Sequence, residues 1–264
     1  MSGLKVDGIN IYYEVHGQGE PLVLIAGLTA HSQHWTNQLT EFAKHYQIIL
    51  LDNRNAGQSD TTENGSIKTM ADDVIALLDH LKINAAHILG RSMGGYIAQE
   101  IAINYPTRVN KLILEATAPV TSMRNNLLFE HFINLKQMGL DDRIVIKEFL
   151  FWENSSLLIN NEKLLTETIE AIVADPYAQS KEGFKNQIKA IKDHDTRDRL
   201  ANITAPTLVI SGLDDILITP KDSQALVSGI NNAEWEGIEG AGHGIHSDQA
   251  LRFNQTVLDF LGNH

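Results

Sequence analysis

Residues 86–104 read AHILGRSMGGYIAQEIAIN, and this stretch leaves few folds open to the chain. A short apolar run, Ala86 to Leu89, enters Gly90-Arg91-Ser92-Met93-Gly94-Gly95, and helical spacing follows from Met93 to about Asn104. The pattern predicts a strand, a sharp turn carrying Ser92, and a helix. A side chain on so tight a bend sits on strained backbone with neighbours close on both sides. Gly90 and Gly94 give the room because they carry no Cβ. The bend lifts the serine oxygen off the sheet edge. The helix behind it aims free N–H groups and partial positive charge at the same spot. G-x-S-x-G alone is a common accident of small residues in loops, so its flanking strand and helix carry the weight.

The rest of the chain repeats the rhythm. Leu22 to Ile25 is a fully apolar short run, as a strand covered on both faces requires, and Gln47 to Leu51, Val109 to Leu114 and Thr207 to Ser211 are of the same type. Ile9 to Val15 alternates enough for a strand, Gly17-Gln18-Gly19-Glu20-Pro21 is a turn, and Ala233 to Ile238 reads as a late strand. Thr69 to Leu81 has helical spacing, with Asp72 and Asp73 expected in its first turn, where the helix dipole favours acids. A final helix is expected from about Gln249 to Leu261. Strands alternating with helices imply an α/β protein with a mostly parallel central sheet and helices on both faces.

From about Pro119 to Asp195 the alternation stops. No strand is convincing there, and several helices rich in large apolar side chains are expected, Leu127, Leu128, Phe129, Phe132, Phe149, Leu150, Phe151 and Trp152 among them. The block directly follows the strand after the serine unit. The expected organisation is therefore a core of residues 1–118 and 196–264 with an inserted helical cap, 119–195, over the serine, and Phe129 and Trp152 are its candidate pocket residues. The plainer alternative is an ordinary helical layer on the sheet.

Charge and composition narrow the partners. A net charge of −12 with no basic stripe argues against nucleic acid and anionic membrane surfaces. No apolar run approaches the roughly 18 residues of a membrane span. The start, MSGLKVDGINIYYEVHG, has no basic segment followed by an apolar one, so no secretory signal is read there. There are 0 cysteines, which rules out disulfides and thiolate chemistry and fits a reducing, cytoplasmic setting. Nothing in the sequence fixes the oligomeric state.

A serine hydroxyl needs a base to remove its proton, and the base needs an orienting carboxylate. Position must choose among 11 histidines. His243 lies in the glycine-rich loop Gly240-Ala241-Gly242-His243-Gly244, after a strand and before the last helix, where α/β sheets place chemistry. His16 sits at a strand end, and His45, His80 and His194 read as exposed helix or loop residues. His246 makes an H-x-x-H pair with His243, but no third ligand is evident nearby, so no metal is expected. For the acid, the strand ending at Gly212 leads into Leu213-Asp214-Asp215, and both aspartates are candidates; Glu115, at the end of another strand, is a third. Serine, acid, histidine in that chain order is the order of the α/β-hydrolase arrangement. Backbone N–H donors for the developing oxyanion are expected from Met93, directly after the serine, and from Leu28 in the loop Ala26-Gly27-Leu28.

Over nearly its whole length the chain resembles the α/β-hydrolase superfamily, through LVLIAGLTAHSQHW, IILLDNRNAGQSD, ADDVIALLDHLKINAAHILGRSMGGYIAQEIAINYPTRVNKLILEATAP, ITAPTLVISGLDDILITP and IEGAGHGIHSDQALRFNQTVLDFL. Within it the chain is similar to the group of enol-lactonases, small esterases, cofactor-free perhydrolases and meta-cleavage C–C hydrolases. The resemblance implies the α/β-hydrolase fold with Ser92, Asp215 and His243 on the triad positions. Asp215 is preferred because the family acid lies three residues after the glycine, here Gly212. Asp248 falls on a family acid read as structural. Two departures stand out: Ala26 replaces a histidine of the oxyanion loop, and Asn55 replaces a glycine, which asparagine tolerates through its ease in left-handed φ. The expected activity is hydrolysis of a small apolar carboxylic ester or lactone through an acyl-enzyme on Ser92, with no cofactor. The alternatives are a C–C bond hydrolase of diketone acids, whose substrate charge would need Arg91 or Arg124, and a ligand receptor without turnover.

Overall fold

Burial on both faces explains the apolar runs. In the computed structural model, which describes residues 3–262, Leu22–Ile25, Ile48–Leu51 and Thr207–Gly212 are buried from end to end. The strands are β1 (Gly3–Val6), β2 (Ile9–His16), β3 (Glu20–Ile25), β4 (Tyr46–Leu51), β5 (Ala86–Arg91), β6 (Val109–Glu115), β7 (Thr207–Gly212) and β8 (Ala233–Ile238). They form one sheet ordered β1-β2-β4-β3-β5-β6-β7-β8. The pairs β1–β2 and β2–β4 are antiparallel, and the others are parallel. The strand β1 is not expected from the sequence; Asp7 and Gly8 make the left-handed hairpin turn (φ 47° and 88°) that pairs it with β2.

Side chains alternate across the sheet, as the strand period of two demands. Val23, Ile25, Ile88 and Leu114 enter one core with α2 (Ile67–His80) and α3 (Met93–Asn104). Leu22, Leu24, Leu89 and Ile113 enter the opposite core with Trp35, α1 (Thr36–Phe42) and Phe253. Chain order reverses between β3 and β5, because β4 lies on one side of β3 and β5 on the other. The crevice at that switch is where open α/β sheets hold ligands.

Between β6 and β7 lie α4 (Met123–Gln137), α5 (Asp142–Glu153), α6 (Ser156–Ile159), α7 (Glu162–Val173) and α8 (Lys181–Lys192). Ser122, Asp141, Asn161 and Ser180 each cap one of them by accepting a first-turn N–H. A bridge from Val120 to Asp195 and the Thr196 N–H, which donates to the Pro119 carbonyl at 2.9 Å, tie the two ends of this insert together. The core then resumes with β7, α9 (Pro220–Gly229), β8, α10 (Ile245–Asp248) and α11 (Ala250–Gly262). No helix among the described residues is long and apolar enough to cross a membrane.

Two expectations are corrected. The helix α2 begins at Ile67, because Ser66 caps it through the Thr69 N–H, so Asp72 and Asp73 fall beyond the first turn. Asp73 instead takes both ends of the Arg54 fork at 2.7 Å, deep in the protein. His194 is not exposed: it is buried and stacks on Tyr96 with ring centroids 4.6 Å apart, and burial pushes its pKa down to about 4.

Candidate active site

Ser92 sits between β5 and α3 with φ 54° and ψ −117°, a conformation that side chains rarely adopt. Close packing dictates its glycines: a Cβ on Gly90 would run into the Gly94 carbonyl, and one on Gly94 into the Ile25 carbonyl. The bend is pinned from two sides. The Ser92 N–H donates to the Glu115 carbonyl and the Thr117 hydroxyl donates to the Ser92 carbonyl, both at 2.9 Å.

The structure brings Ser92, His243 and Asp215 together from the ends of β5, β8 and β7. The Ser92 hydroxyl donates to His243 Nε2 at 2.9 Å, and His243 Nδ1–H donates to Asp215 Oδ2 at 2.8 Å. The other Asp215 oxygen accepts the Leu217 and Ile218 N–H groups at 2.8 and 2.9 Å, which fixes the carboxylate. Asp214 is exposed and Asp215 buried, so the geometry separates the two candidate acids. Glu115 serves a different imidazole: Oε1 accepts His246 Nδ1–H at 2.9 Å and the His246 main-chain N–H at 3.1 Å. Each histidine of the H-x-x-H pair is therefore tied to its own carboxylate, a second pairing that the sequence spacing did not reveal.

The Met93 N–H opens α3 and has no intrahelical acceptor. Leu28 lies on the loop after β3, and its neighbour Gly27 passes so close to the bend that a Cβ there would lie 3.2 Å from Ser92 Cβ. Where Ala26 stands in place of a histidine, the Asn53 amide holds the loop by donating to the Ala26 carbonyl at 2.9 Å. Asn55 adopts φ 72°, as its substitution for glycine requires. Asp248 accepts the Gly242 and Ser155 N–H groups at 2.8 and 3.3 Å, joining the His243 loop to the insert, and burial raises its pKa.

A cavity of about 720 Å³ lies between these loops and the insert. Ser92 and His243 do not line it, but the residues beside them do: Arg91 before the serine, Gly244 after the histidine, and Thr29 after Leu28. Its apolar wall comes from the insert, with Phe132, Val145, Phe149, Leu150 and Phe184. Phe129 and Trp152 are not part of that wall. Phe129 packs into the core shared with α2 and α3, and Trp152 packs against Ala118, Leu217 and Ile218 beside the Asp215 loop. Which face of an insert helix looks inward depends on packing that a single sequence does not carry.

Chemically, a hydroxyl hydrogen-bonded to an imidazole that a buried carboxylate orients can act as a nucleophile, with helix-terminal N–H groups near a developing negative oxygen. Among the described residues, no group of three His, Cys, Asp or Glu side chains is gathered to hold a metal ion. The family model for the alpha/beta hydrolase fold matches residues 20–250. A protein of Azorhizobium caulinodans, provisionally named carbamate hydrolase RutD, is 30% identical over 256 residues, covering 96% of this chain and 95% of its own. The solved esterase of Exiguobacterium antarcticum is 28% identical with a TM-score of 0.86, covering 98% of this chain and 97% of its own. A solved N-acyl homoserine lactone degrading enzyme is 26% identical with a TM-score of 0.84, covering 98% of this chain and 100% of its own.

Proposed function

This chain belongs to the alpha/beta hydrolase fold family and is a hydrolase of that fold; on that premise we propose that it cleaves a small, mostly apolar carboxylic ester or lactone through an acyl-enzyme on Ser92. His243 takes the Ser92 proton as the oxygen attacks the carbonyl carbon, and Asp215 steadies the imidazolium that forms. The N–H groups of Met93 and Leu28 hold the oxyanion. His243 then protonates the leaving alcohol, and the same base activates the water that releases the acid. No cofactor enters these steps. The insert acts as the cap, and its apolar wall receives the substrate.

The observation that carries this reading is the unbroken chain of hydrogen bonds from Ser92 to Asp215, at 2.9 and 2.8 Å, on a strained serine. Names of similar proteins, an esterase and a lactone-degrading enzyme, point the same way. The C–C hydrolase alternative draws less support. The two arginines expected to hold its acidic substrate are both engaged: Arg124 donates to the Ile216 and Leu217 carbonyls, and Arg91 contacts Glu153 at 3.2 Å.

The test is a panel of esters and lactones of graded acyl length, run on wild type and Ser92→Ala, with fluorophosphonate labelling read by mass spectrometry. Labelling at Ser92 and a loss of about 10⁴-fold or more in kcat on Ser92→Ala are expected. A folded wild-type protein that takes no label and turns over no member of the panel defeats the proposal.

A further inference from the structure

His246 is a buried imidazole that the mechanism above does not use. Glu115, itself fully buried, takes its Nδ1–H and its main-chain N–H. Trp35 lies against the ring with centroids 5.1 Å apart, and Phe253 flanks it at 6.3 Å, so its orientation is fixed. Its Nε2 makes no hydrogen bond among the described residues, and His246 is one of the residues that line the 720 Å³ cavity. The arrangement has the same polarity as the His243–Asp215 pair: a carboxylate on Nδ1 and a free Nε2.

Arg91 lines the same cavity and is also underused. The other deeply buried arginine, Arg54, bonds through Nε, Nη1 and Nη2 to Asp73 and the Asn64 carbonyl. Among the described residues the Arg91 side chain makes one hydrogen bond, Nη2 to Glu153 at 3.2 Å, long for a charge-assisted bond, and its Nε has no partner. A Cβ on Gly27 would lie within 3.6 Å of both Ser92 Cβ and Arg91 Nη1, so the guanidinium sits beside the reacting serine.

Glu153 pairs with Arg91, and Glu115 holds the His246 Nδ1–H. What remains is hydrogen-bonding capacity: N–H donors on Arg91 and a ring nitrogen on His246. With Nδ1–H held by a carboxylate, a neutral imidazole accepts at Nε2, and a protonated one donates there. A hydroxyl can answer either state and can also accept from Arg91. We propose that His246 and Arg91 form a polar subsite for an uncharged hydroxyl on the substrate, a few bonds from the scissile carbonyl. The proposal rests on the ester reading only for its choice of ligand; hydroxyacyl esters are the substrate class it assigns.

Binding without turnover tests it. Ser92→Ala is titrated by NMR with ethyl 3-hydroxybutyrate, as both enantiomers, with ethyl butyrate and with monoethyl glutarate. One enantiomer of the hydroxylated ester should bind about tenfold tighter than ethyl butyrate, with the shift change focused on the His246 ring signals. Replacing both buried partners together, Glu115→Met with His246→Phe on the Ser92→Ala background, should erase that preference, since it removes the acceptor without stranding a buried carboxylate. If this double substitution loses dispersed amide signals, His246→Gln replaces it and should cut the preference several-fold. Equal binding of the plain and hydroxylated esters, a preference that survives the substitutions, or tighter binding of the glutarate ester each overturns the proposal. The titration needs no hydrolysis, so an inert wild-type protein would defeat the ester reading and leave the subsite to be judged by these affinities.

Discussion

The sheet and the insert are built to different tolerances. In the sheet, Leu22 to Leu24 and Ile88 to Leu89 have no solvent exposure, and the buried Arg54–Asp73 pair beside it is bidentate. The insert has a small core of its own, Leu150, Leu158, Leu165 and Ile169, and leaves Ile144, Phe151, Leu157 and Leu164 in water. Every group in the Ser92–His243–Asp215 chain stands on a strand end, whereas the apolar wall of the cavity stands on insert helices. The contrast suggests a division of labour. Chemistry needs positions held to a fraction of an ångström, and a close-packed sheet supplies that rigidity. Choice of substrate needs only volume and shape, which a looser helical layer can vary without disturbing the reacting atoms.

The largest effect that sharpens this contrast is at the sheet edge. Asp215→Asn should lower kcat for p-nitrophenyl butyrate by about 10⁴-fold, because the imidazole loses its orienting acceptor. Asp214→Asn, one residue away and exposed, should stay within about twofold. On the insert side, Phe149→Ala should shift the preferred acyl length and change KM by about tenfold with kcat little altered. Steady-state kinetics over a series of acyl lengths checks all three. A collapse of kcat in Phe149→Ala would mean that the insert also positions the reacting atoms, and the division of labour would fail.

The same contrast explains what the sequence made legible. The strands β3 to β7 and the helix after Ser92 follow from apolar runs and helical spacing, because each is largely buried by its immediate neighbours. Ser92, Asp215 and His243 could be placed because loop position and chain order mark them. Phe129 and Trp152, expected at the pocket, do not line this cavity, because size and apolarity alone do not say which face of α4 and α5 looks inward. The Glu115–His246 pair spans 131 residues and carries no local pattern. His194 reads as a loop residue in sequence, yet the insert's return to the core drives it against Tyr96.

A smaller effect is expected in stability. Leu24→Ala removes packing from a site closed on all sides and should cost toward the upper end of roughly 2–5 kcal/mol. Leu165→Ala, in the insert's small cluster, should fall toward the lower end of the same range, because neighbouring helices can relax into the space. Urea denaturation gives both values. Equal costs would show that the insert is as tightly set as the sheet.

The smallest effect probes the seam where the insert rejoins the core. His194 stacks on Tyr96 of α3, and its Nδ1 lies 3.6 Å from Glu100. Burial holds its folded pKa at about 4, well below the 6.5 of a free imidazole. Between those values the unfolded chain binds the proton that the folded chain refuses, so stability falls as pH drops through this window and is fully present above 6.5. At pH 5 the loss from this one group is about 2 kcal/mol. His194→Phe keeps a ring against Tyr96 and removes the titration. It should therefore flatten the fall in unfolding free energy between pH 7 and 5 by about that amount. An unchanged pH slope would place the acid-sensitive contacts elsewhere and make the seam as indifferent to protons as the sheet.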